Sequence, residues 1–370
     1  MVEQRIENPR VGGSIPPLAT KILNPAQLAL RGFLLHPAGR IRLMPTPSQS
    51  NPSLPRGPLI VRLCNMVGDV VLGLPALQLL QSHGYEPHLY GKGWAKALLG
   101  AHGWPITSRA GKLGERVAQL RELKQQCLSV DPGFGDRVNT LLMPNSFSSA
   151  FEPRWAGLKP AGFVRDGRRL LLSQAWHAAH PSPPAHALEG FWELACKLTG
   201  TASPPPDRID LQVAPAAQQA ADALMAAHGI QPGFVCIVPY AAGDVDGQDK
   251  RWPEFAHLTA QLAARHDRQI VTCPGPGEEA IARDEHPAAI CLPGVKLDIY
   301  LGLLKRAGLV ISNDTGPAHM AAAVGTPVLS VLGPTKPEQW RPWGPQNRIA
   351  QGPNRQWPTM DDVMQKVDAA

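Results

Sequence analysis

One continuous stretch, from Leu309 to Leu332, constrains the fold of this 370-residue chain more than any other. It begins with a short apolar run, passes through a polar turn to Gly316, and is rich in alanine up to Gly325. A second apolar run completes it. The order strand, turn, helix, strand, with a second strand that is almost wholly apolar, predicts a buried parallel sheet in an α/β protein.

The polar turn in this stretch carries candidate ligand-binding groups. Asp314 and Thr315 are typical helix N-cap residues, and Pro317 suits a first helical turn, where its missing N–H costs nothing. Free N–H groups and the helix dipole attract anions at such a helix N-terminus, and ligands bind at this edge of parallel sheets. The turn therefore predicts an anion site. His319 lies one turn further on, and the sequence leaves open whether it packs in the core or contacts a ligand.

Composition indicates a soluble globular protein with room for two cores, because 44% of the residues are hydrophobic and 18% are charged. The sequence shows neither a run of 18 apolar residues nor a secretory pattern, so we expect a cytoplasmic protein without a transmembrane helix. The six cysteines are scattered without a CxxC pair, which predicts reduced side chains rather than disulfides or a zinc site.

The first 57 residues differ from the rest of the chain. They contain nine prolines, and seven Lys and Arg against two Glu give them +5 of the total charge of +6. We expect residues 1–57 to be a disordered extension, or alternatively a mis-annotated one, with the biological start downstream, near Met44. The remainder is almost neutral, which disfavours nucleic acid as a partner.

Beyond residue 57, strand and helix patterns alternate in two blocks on either side of a proline-rich linker at 200–206. This organisation predicts two Rossmann-like domains, at 58–205 and 206–345, each built on a mostly parallel sheet. A C-terminal tail with a last helix is expected at 346–370. Two such domains would enclose a cleft between them.

A carboxylate follows the first predicted strand, Leu59–Cys64. Asp69 would lie at the carboxyl edge of the sheet, where it could act as a general base facing the cleft. Capping of the next helix is the other explanation for Asp69. Pro75 in that helix indicates a start near residue 73 or a kink.

Two further charged positions follow strands of the second block. Lys250 could neutralise a diphosphate, with Arg251 as the weaker candidate, although a solvated basic pair would give the same pattern. Glu278, after a Gly/Pro loop, suits a sugar or ribose hydroxyl, or caps its helix. The sequence contains no P-loop, metal-ligand cluster or G-x-S-x-G motif, so we expect no metal or cofactor and disfavour a hydrolase.

Taken together and in this order, four sequence blocks resemble glycosyltransferase family 9, the lipopolysaccharide heptosyltransferase family. The blocks are residues 65–77, 142–150, 250–253, and 312–319 with 333–335 behind them. The resemblance implies a GT-B fold, in which two Rossmann-like domains face a central cleft. It also implies inverting, metal-independent transfer of heptose from ADP-heptose to a lipid-linked saccharide, the lipopolysaccharide inner core, with peripheral contact at the inner membrane.

Carried over position by position, the resemblance makes Asp69 the base that deprotonates the acceptor hydroxyl. Lys250 would hold the donor diphosphate, and Asp314 would contact the donor sugar. Helix N-terminal groups would bind the phosphates, and a carboxylate would contact the nucleoside. The complete donor set implied in this way is Lys250, Glu278, Asp314, Thr315, Gly316 and His319.

The loop Pro239–Gly243 departs from the His-Pro-Gly form that is common in the family after this strand. The departure leaves the nucleobase and the sugar open. A family member with another nucleotide-sugar or acceptor is therefore one alternative. A catalytically silent sugar-nucleotide-binding paralogue is another, although retention of Asp69 and Lys250 counts against it.

Overall fold

The computed structural model describes residues 57–179, 186–265 and 267–369. The extension predicted at 1–57 lies outside these residues, apart from Gly57. The described chain forms two halves, each built on a six-stranded, fully parallel sheet. Two Rossmann-like sheets are what the alternating pattern predicted.

The first half carries one sheet with the strand order β3-β2-β1-β4-β5-β6. Its strands are β1 (Gly57–Arg62), β2 (Tyr85–Gly91), β3 (Ile106–Ser108), β4 (Thr140–Leu142), β5 (Pro160–Phe163) and β6 (Gln174–Trp176). Its helices are α1 (Val67–Leu72), α2 (Leu74–Ser82), α3 (Ala95–Leu99), α4 (Leu113–Val130), α5 (Phe147–Trp155) and α6 (Ala187–Thr199).

The second half repeats this plan with the order β11-β10-β7-β12-β13-β14, while β8 and β9 form a separate antiparallel hairpin. Its strands are β7 (Val235–Val238), β8 (Asp244–Val245), β9 (Gln248–Asp249), β10 (Ile270–Thr272), β11 (Ile290–Cys291), β12 (Leu309–Ser312), β13 (Val328–Val331) and β14 (Asn347–Ala350). Its helices are α7 (Pro215–Ala227), α8 (Phe255–Arg265), α9 (Glu279–Glu285), α10 (Leu297–Arg306), α11 (Gly316–Ala323), α12 (Pro337–Trp340) and α13 (Met360–Asp368).

The strand order places the ligand-binding crevice of each half. In both sheets the order reverses beside the first strand, between β1 and β4 in one half and between β7 and β12 in the other. Ligands of open parallel sheets bind in this crevice, at the carboxyl ends of the strands. The turns that follow β1, β7 and β12 are therefore the segments that matter for a site.

The helical segment after β1 is interrupted, as its proline indicated. Helix α1 ends at Leu72 and α2 begins at Leu74, with Pro75 in the first turn, where no backbone N–H is required. Gly73 joins the two helices.

The apolar run Leu170–Leu172 has the sequence pattern of a short strand, but that interpretation is wrong. A 3₁₀ turn occupies Arg168–Leu171, and β6 begins only at Gln174. The cause is the fully buried Arg168 side chain, whose Nε donates to the carbonyl of Phe163 at 2.9 Å. This bond folds the segment back on β5, because a buried guanidinium needs hydrogen-bond partners.

Residues 346–370, expected as a tail with one helix, also contribute an edge strand. Strand β14 pairs with β13, and α13 packs against both strands. Helix α7, absent from the sequence prediction, packs on α10, where a Cβ atom on Gly302 would lie 2.7 Å from Ala221 Cβ.

The largest hydrophobic core cluster includes residues of both halves, so the two halves share packed apolar surface. Helices α1 and α11 pack directly against each other across this contact. All six cysteines are free. In the described ranges, no helix combines the length and apolar character needed to cross a membrane.

Candidate active site

The contact between α1 and α11 brings the turn after β1 to the turn after β12. Glycine permits this approach on both sides. A Cβ atom on Gly316 would lie 3.1 Å from Val67 Cβ, and one on Gly68 would lie 2.9 Å from His319 Cδ2. The turn that carries Asp69 therefore meets the turn that carries Asp314 and the helix that carries His319.

Asp69 lies in the first turn of α1 and is half-buried. Burial, and then the negative charge of Asp314, raise the pKa of Asp69 to about 6. Met66, not Asp69, occupies the N-cap position, and within residues 57–179 no side-chain hydrogen bond caps this helix. A carboxylate with a raised pKa beside a second carboxylate is the environment expected of a general base.

Asp314 is held by two partners from separate loops. Its Oδ2 accepts a hydrogen bond from Thr335 Oγ1 at 2.9 Å and lies 3.6 Å from Lys250 Nζ. Lys250 Nζ also donates to the backbone carbonyl of Asp314 at 3.3 Å. The structure thus brings together Lys250 and Asp314, two residues that the sequence predicted for one site. Thr335 had no predicted role.

The adjacent Asn313 is fully buried and was not among the predicted site residues. Its Oδ1 accepts from the backbone N–H of Trp252 at 3.0 Å, and its Nδ2 donates to the carbonyl of Pro239. One amide therefore joins the ends of β7 and β12 to the Lys250 loop. A polar residue at the end of an apolar strand is the signal that could have identified it.

Lys250 follows the hairpin formed by β8 and β9. Asp246 and Gly247 form its tip with φ values of 53° and 78°, as a two-residue type I′ turn requires. The neighbouring Arg251 is exposed and pairs with Asp249 at 2.7 Å. The two basic residues thus have different surroundings, and it is Lys250 that contacts Asp314.

Thr315 is the N-cap residue of α11, and Pro317 lies in the first turn, as predicted. The Thr315 hydroxyl contacts Ser312 Oγ at 3.1 Å, and no side chain of the described residues caps the helix. The N–H groups that begin at Gly316 therefore remain available to an anion near Lys250.

His319 is buried, and its ring faces Gly68 of the other half. Burial is the main cause that lowers the pKa of His319 to about 4, and the nearby Lys250 also lowers it. The imidazole is therefore neutral at pH 7. Its Nδ1 is buried without a hydrogen-bond partner among the described residues.

Glu278 lies at the start of α9, where its Oε2 accepts from the backbone N–H of Gly275 at 2.8 Å. This bond closes the Gly/Pro loop after β10. The negative charge of Glu278 also acts on Tyr240 and Arg251. Glu278 therefore lies near the Lys250 loop, and its carboxylate is engaged in a local turn.

A cavity of about 470 Å³ opens at the carboxyl ends of β4, β5 and β6. Helix α6 and the α12 segment of the second half complete its wall, so the cavity lies between the halves. Its lining is more apolar than polar and includes Met143, Asn145, Phe163, Phe191, Gln339 and Trp340. The cavity can take a ligand of moderate size with an apolar part.

We expect Gly68→Ala to lower the free energy of unfolding by about 1–3 kcal/mol, because the new methyl group would overlap the buried His319 ring. Urea denaturation measures this change. Gly114→Ala is the matched control, since Gly114 is also the second residue of its helix and has open space around it. Equal stability of the two variants would contradict the close contact. Adding His319→Ala to Gly68→Ala should recover part of the loss.

Comparison with known sequences identifies relatives. A sequence model of glycosyltransferase family 9 (heptosyltransferase) matches residues 136–367. Lipopolysaccharide heptosyltransferase 3 of Escherichia coli is 34% identical over 146 residues, which are 36% of this chain and 41% of that protein. Lipooligosaccharide heptosyltransferase 2 of Haemophilus influenzae is 24% identical over 301 residues, which are 75% of this chain and 83% of that protein.

The fold is shared with a solved structure, that of the E. coli ADP-heptose lipopolysaccharide heptosyltransferase II. The two align with a TM-score of 0.67 at 20% identity, over 84% of this chain and 97% of that chain. This likeness confirms the predicted GT-B fold. Because the family match covers more than half of the sequence, the chain belongs to glycosyltransferase family 9 (heptosyltransferase).

Proposed function

We propose that this protein is an inverting, metal-independent glycosyltransferase that transfers heptose from ADP-heptose to the inner core of lipopolysaccharide. One observation carries the proposal: a carboxylate with a raised pKa, Asp69, lies within electrostatic reach of Asp314, which pairs with Lys250, where the halves meet. The relatives are named as heptosyltransferases, which supports the choice of sugar.

In the proposed reaction, the Asp69 carboxylate accepts the proton of an acceptor hydroxyl. The hydroxyl oxygen forms a bond to the anomeric carbon of the donor from the face opposite the diphosphate. The bond from that carbon to the diphosphate oxygen breaks, and its electron pair leaves with ADP. A single displacement of this kind inverts the anomeric centre and typically gains about 10²–10⁴-fold from its general base.

The leaving diphosphate needs positive charge as the bond breaks. Lys250 and the N–H groups at the start of α11 provide it without a metal ion, because preorganised donors stabilise charge that develops in the transition state. Asp314, fixed by Thr335, would accept a hydrogen bond from a hydroxyl of the donor sugar. Thr315 and Gly316 would contact the phosphates, with His319 packed behind them and Glu278 near the nucleoside.

The acceptor would enter from the first half, and the cavity at the ends of β4, β5 and β6 supports this choice. Its apolar lining suits the less polar part of a lipid-linked saccharide. We propose that the protein works in the cytoplasm and at the inner face of the inner membrane, where such an acceptor would be presented.

The test is release of ADP from ADP-heptose in the presence of truncated lipopolysaccharide acceptors that end in the inner core. We expect acceptor-dependent ADP release without added metal and in the presence of a chelator. Release from another nucleotide-sugar, but not from ADP-heptose, would favour the first alternative, a family member with a different donor. Donor binding by thermal shift without turnover on any acceptor would favour a silent paralogue.

We expect kcat/KM to fall about tenfold per pH unit below about pH 6, because protonated Asp69 cannot accept the acceptor proton. The pKa of Asp69 is raised by burial and by Asp314, so activity is complete above this pKa and is lost as the pH falls through it. A pH–rate profile of the wild-type protein measures this fall in kcat/KM. In Asp314→Asn the acidic limb of the residual activity should move to lower pH. A flat wild-type profile through pH 6 would reject Asp69 as the titrating base.

A further inference from the structure

Helix α5 presents its large aromatic side chains outwards and buries none of them, the reverse of an ordinary surface helix. Phe147 is 50% exposed and Trp155 is 55% exposed. With Phe151 between them they form a ladder at spacings of four residues, with ring centroids 6.1 and 5.1 Å apart. The buried residues of α5 are Ser149, Ala150, Glu152 and Pro153.

The orientation of α5 is fixed from its inner side. Glu152 is buried and pairs with Arg109 at 2.8 Å and with Arg116 at 2.9 Å. Rotation of the helix would break these buried ion pairs, which is strongly unfavourable when one partner stays behind. The aromatic ladder is therefore held towards solvent.

A fourth apolar side chain lies on the segment that packs beside α5. Leu170, in the 3₁₀ turn Arg168–Leu171, is 91% exposed. The turn is also held firmly, since the buried Arg168 donates to Ser149 Oγ and Asn145 Oδ1, both at 3.0 Å. We call Phe147, Phe151, Trp155 and Leu170 the aromatic face. Exposed apolar groups gathered on rigid elements usually mark an interaction surface.

Basic side chains border the aromatic face. Two exposed arginines, one on α5 and one on the turn, are the sequence neighbours of Trp155 and Leu170, and two cations of α4 reach the end of α5. The exposed acidic residues of this region are Asp166, in the loop before the turn, and Glu122, between the two cations of α4. The four cations are Arg154, Arg169, Arg121, whose Nη2 donates to Trp155 O at 3.5 Å, and Lys124, whose Nζ donates to Gly157 O at 2.8 Å.

We propose that the aromatic face docks the protein on a bilayer that contains anionic phospholipid. Aromatic side chains favour the interface between water and lipid, and adjacent Lys and Arg are attracted to anionic headgroups. This inference rests on the proposed function in one respect: the lipid-linked acceptor is the reason for the protein to bind a membrane. Phe147 is two residues from Asn145, which lines the cavity at the ends of β4, β5 and β6. The docked surface therefore continues to the mouth of that cavity.

Co-sedimentation of the full chain with vesicles, without donor or acceptor, tests the proposal. Wild type should bind vesicles of equimolar phosphatidylglycerol and phosphatidylcholine at least about tenfold more tightly than pure phosphatidylcholine. Phe147→Ser/Trp155→Ser should weaken binding at least about tenfold. Arg154→Gln/Arg169→Gln should lose most of the preference for the anionic vesicles. The matched control is Ile281→Ser, which removes an exposed apolar side chain from the second half and should bind as wild type does.

Three results would overturn the proposal: no sedimentation of wild type, equal binding by Phe147→Ser/Trp155→Ser, or an equal loss in Ile281→Ser. A wild-type dimer that this double variant dissociates, without vesicle binding, would assign the face to a second copy and would also overturn it. Unchanged thermal melting of the double variant shows that it is folded. ADP release with a deacylated, water-soluble acceptor should stay at the wild-type rate in the double variant, which separates this inference from the proposed reaction.

Discussion

Asp69→Asn should reduce turnover by at least about 100-fold and leave the affinity for the donor unchanged, because the amide cannot accept the acceptor proton. Asn has nearly the same volume as Asp, so the substitution opens no cavity. ADP release under single-turnover conditions measures the chemical step, and calorimetric titration with ADP measures donor binding.

Stability distinguishes a lost base from a damaged fold. The pKa of Asp69 is raised by burial and by Asp314, so the ionised form opposes folding at pH 7, and this opposition disappears as the pH falls below the folded pKa. Removing the charge should therefore leave the melting temperature unchanged or raise it. A variant that is inactive yet at least as stable as wild type is the expected signature.

Glu115→Gln is the matched control for Asp69→Asn. Glu115 is also the third residue of its helix, α4, and it is exposed at a distance from the α1–α11 contact. Gln keeps an oxygen that can accept the hydrogen bond from the Lys112 backbone N–H, so this substitution removes only the charge and should leave turnover intact. Wild-type turnover in Asp69→Asn, or an equal loss in Glu115→Gln, would remove Asp69 from the reaction.

The strands, the turns that follow them and the charged residues on those turns could be predicted from the sequence because they depend on local pattern. A few residues are enough to predict these elements. The apolar run predicts β12, and the N-cap residue Thr315 with the proline that follows predicts the start of α11. The electrostatic proximity of Asp69 to Asp314 could be expected only by adding topology, since both follow strands at the switch points of their sheets.

The features that escaped prediction depend on contacts between distant parts of the chain. Asn313 joins three loops, which no local pattern shows. Leu170–Leu172 has an apolar run suited to a strand, and the buried guanidinium of Arg168 overrides that preference. Helix α7 is rich in alanine, so its apolar side is weakly marked, and its packing depends on the close approach of Ala221 to Gly302.

The charge balance of the donor site follows from the same long-range contacts. Lys250 sits close to Asp314 and near the N–H groups at the start of α11, so a diphosphate there would meet one cation, one carboxylate and a helix N-terminus. The Asp314 carboxylate repels phosphate unless Lys250 is present. Lys250 therefore has two effects on the donor, attraction of the diphosphate and compensation of its neighbour.

Lys250→Ala should raise the Kd for ADP by about 10- to 100-fold, since hydrogen bonds to charged groups contribute about 1.5–3 kcal/mol. The loss of affinity should exceed that of a phosphate contact alone, because Asp314 is left without its cation. Each tenfold change in Kd corresponds to about 1.4 kcal/mol. Arg251→Ala is the matched control: its side chain is exposed and paired with Asp249, so its removal should leave the Kd within about threefold of wild type. Isothermal titration with ADP at low and high salt measures both variants.

An unchanged Kd in Lys250→Ala, or an equal loss in Arg251→Ala, would reject the diphosphate role of Lys250. A Kd restored in Lys250→Ala/Asp314→Asn would show that compensation of Asp314 is the larger of its two effects.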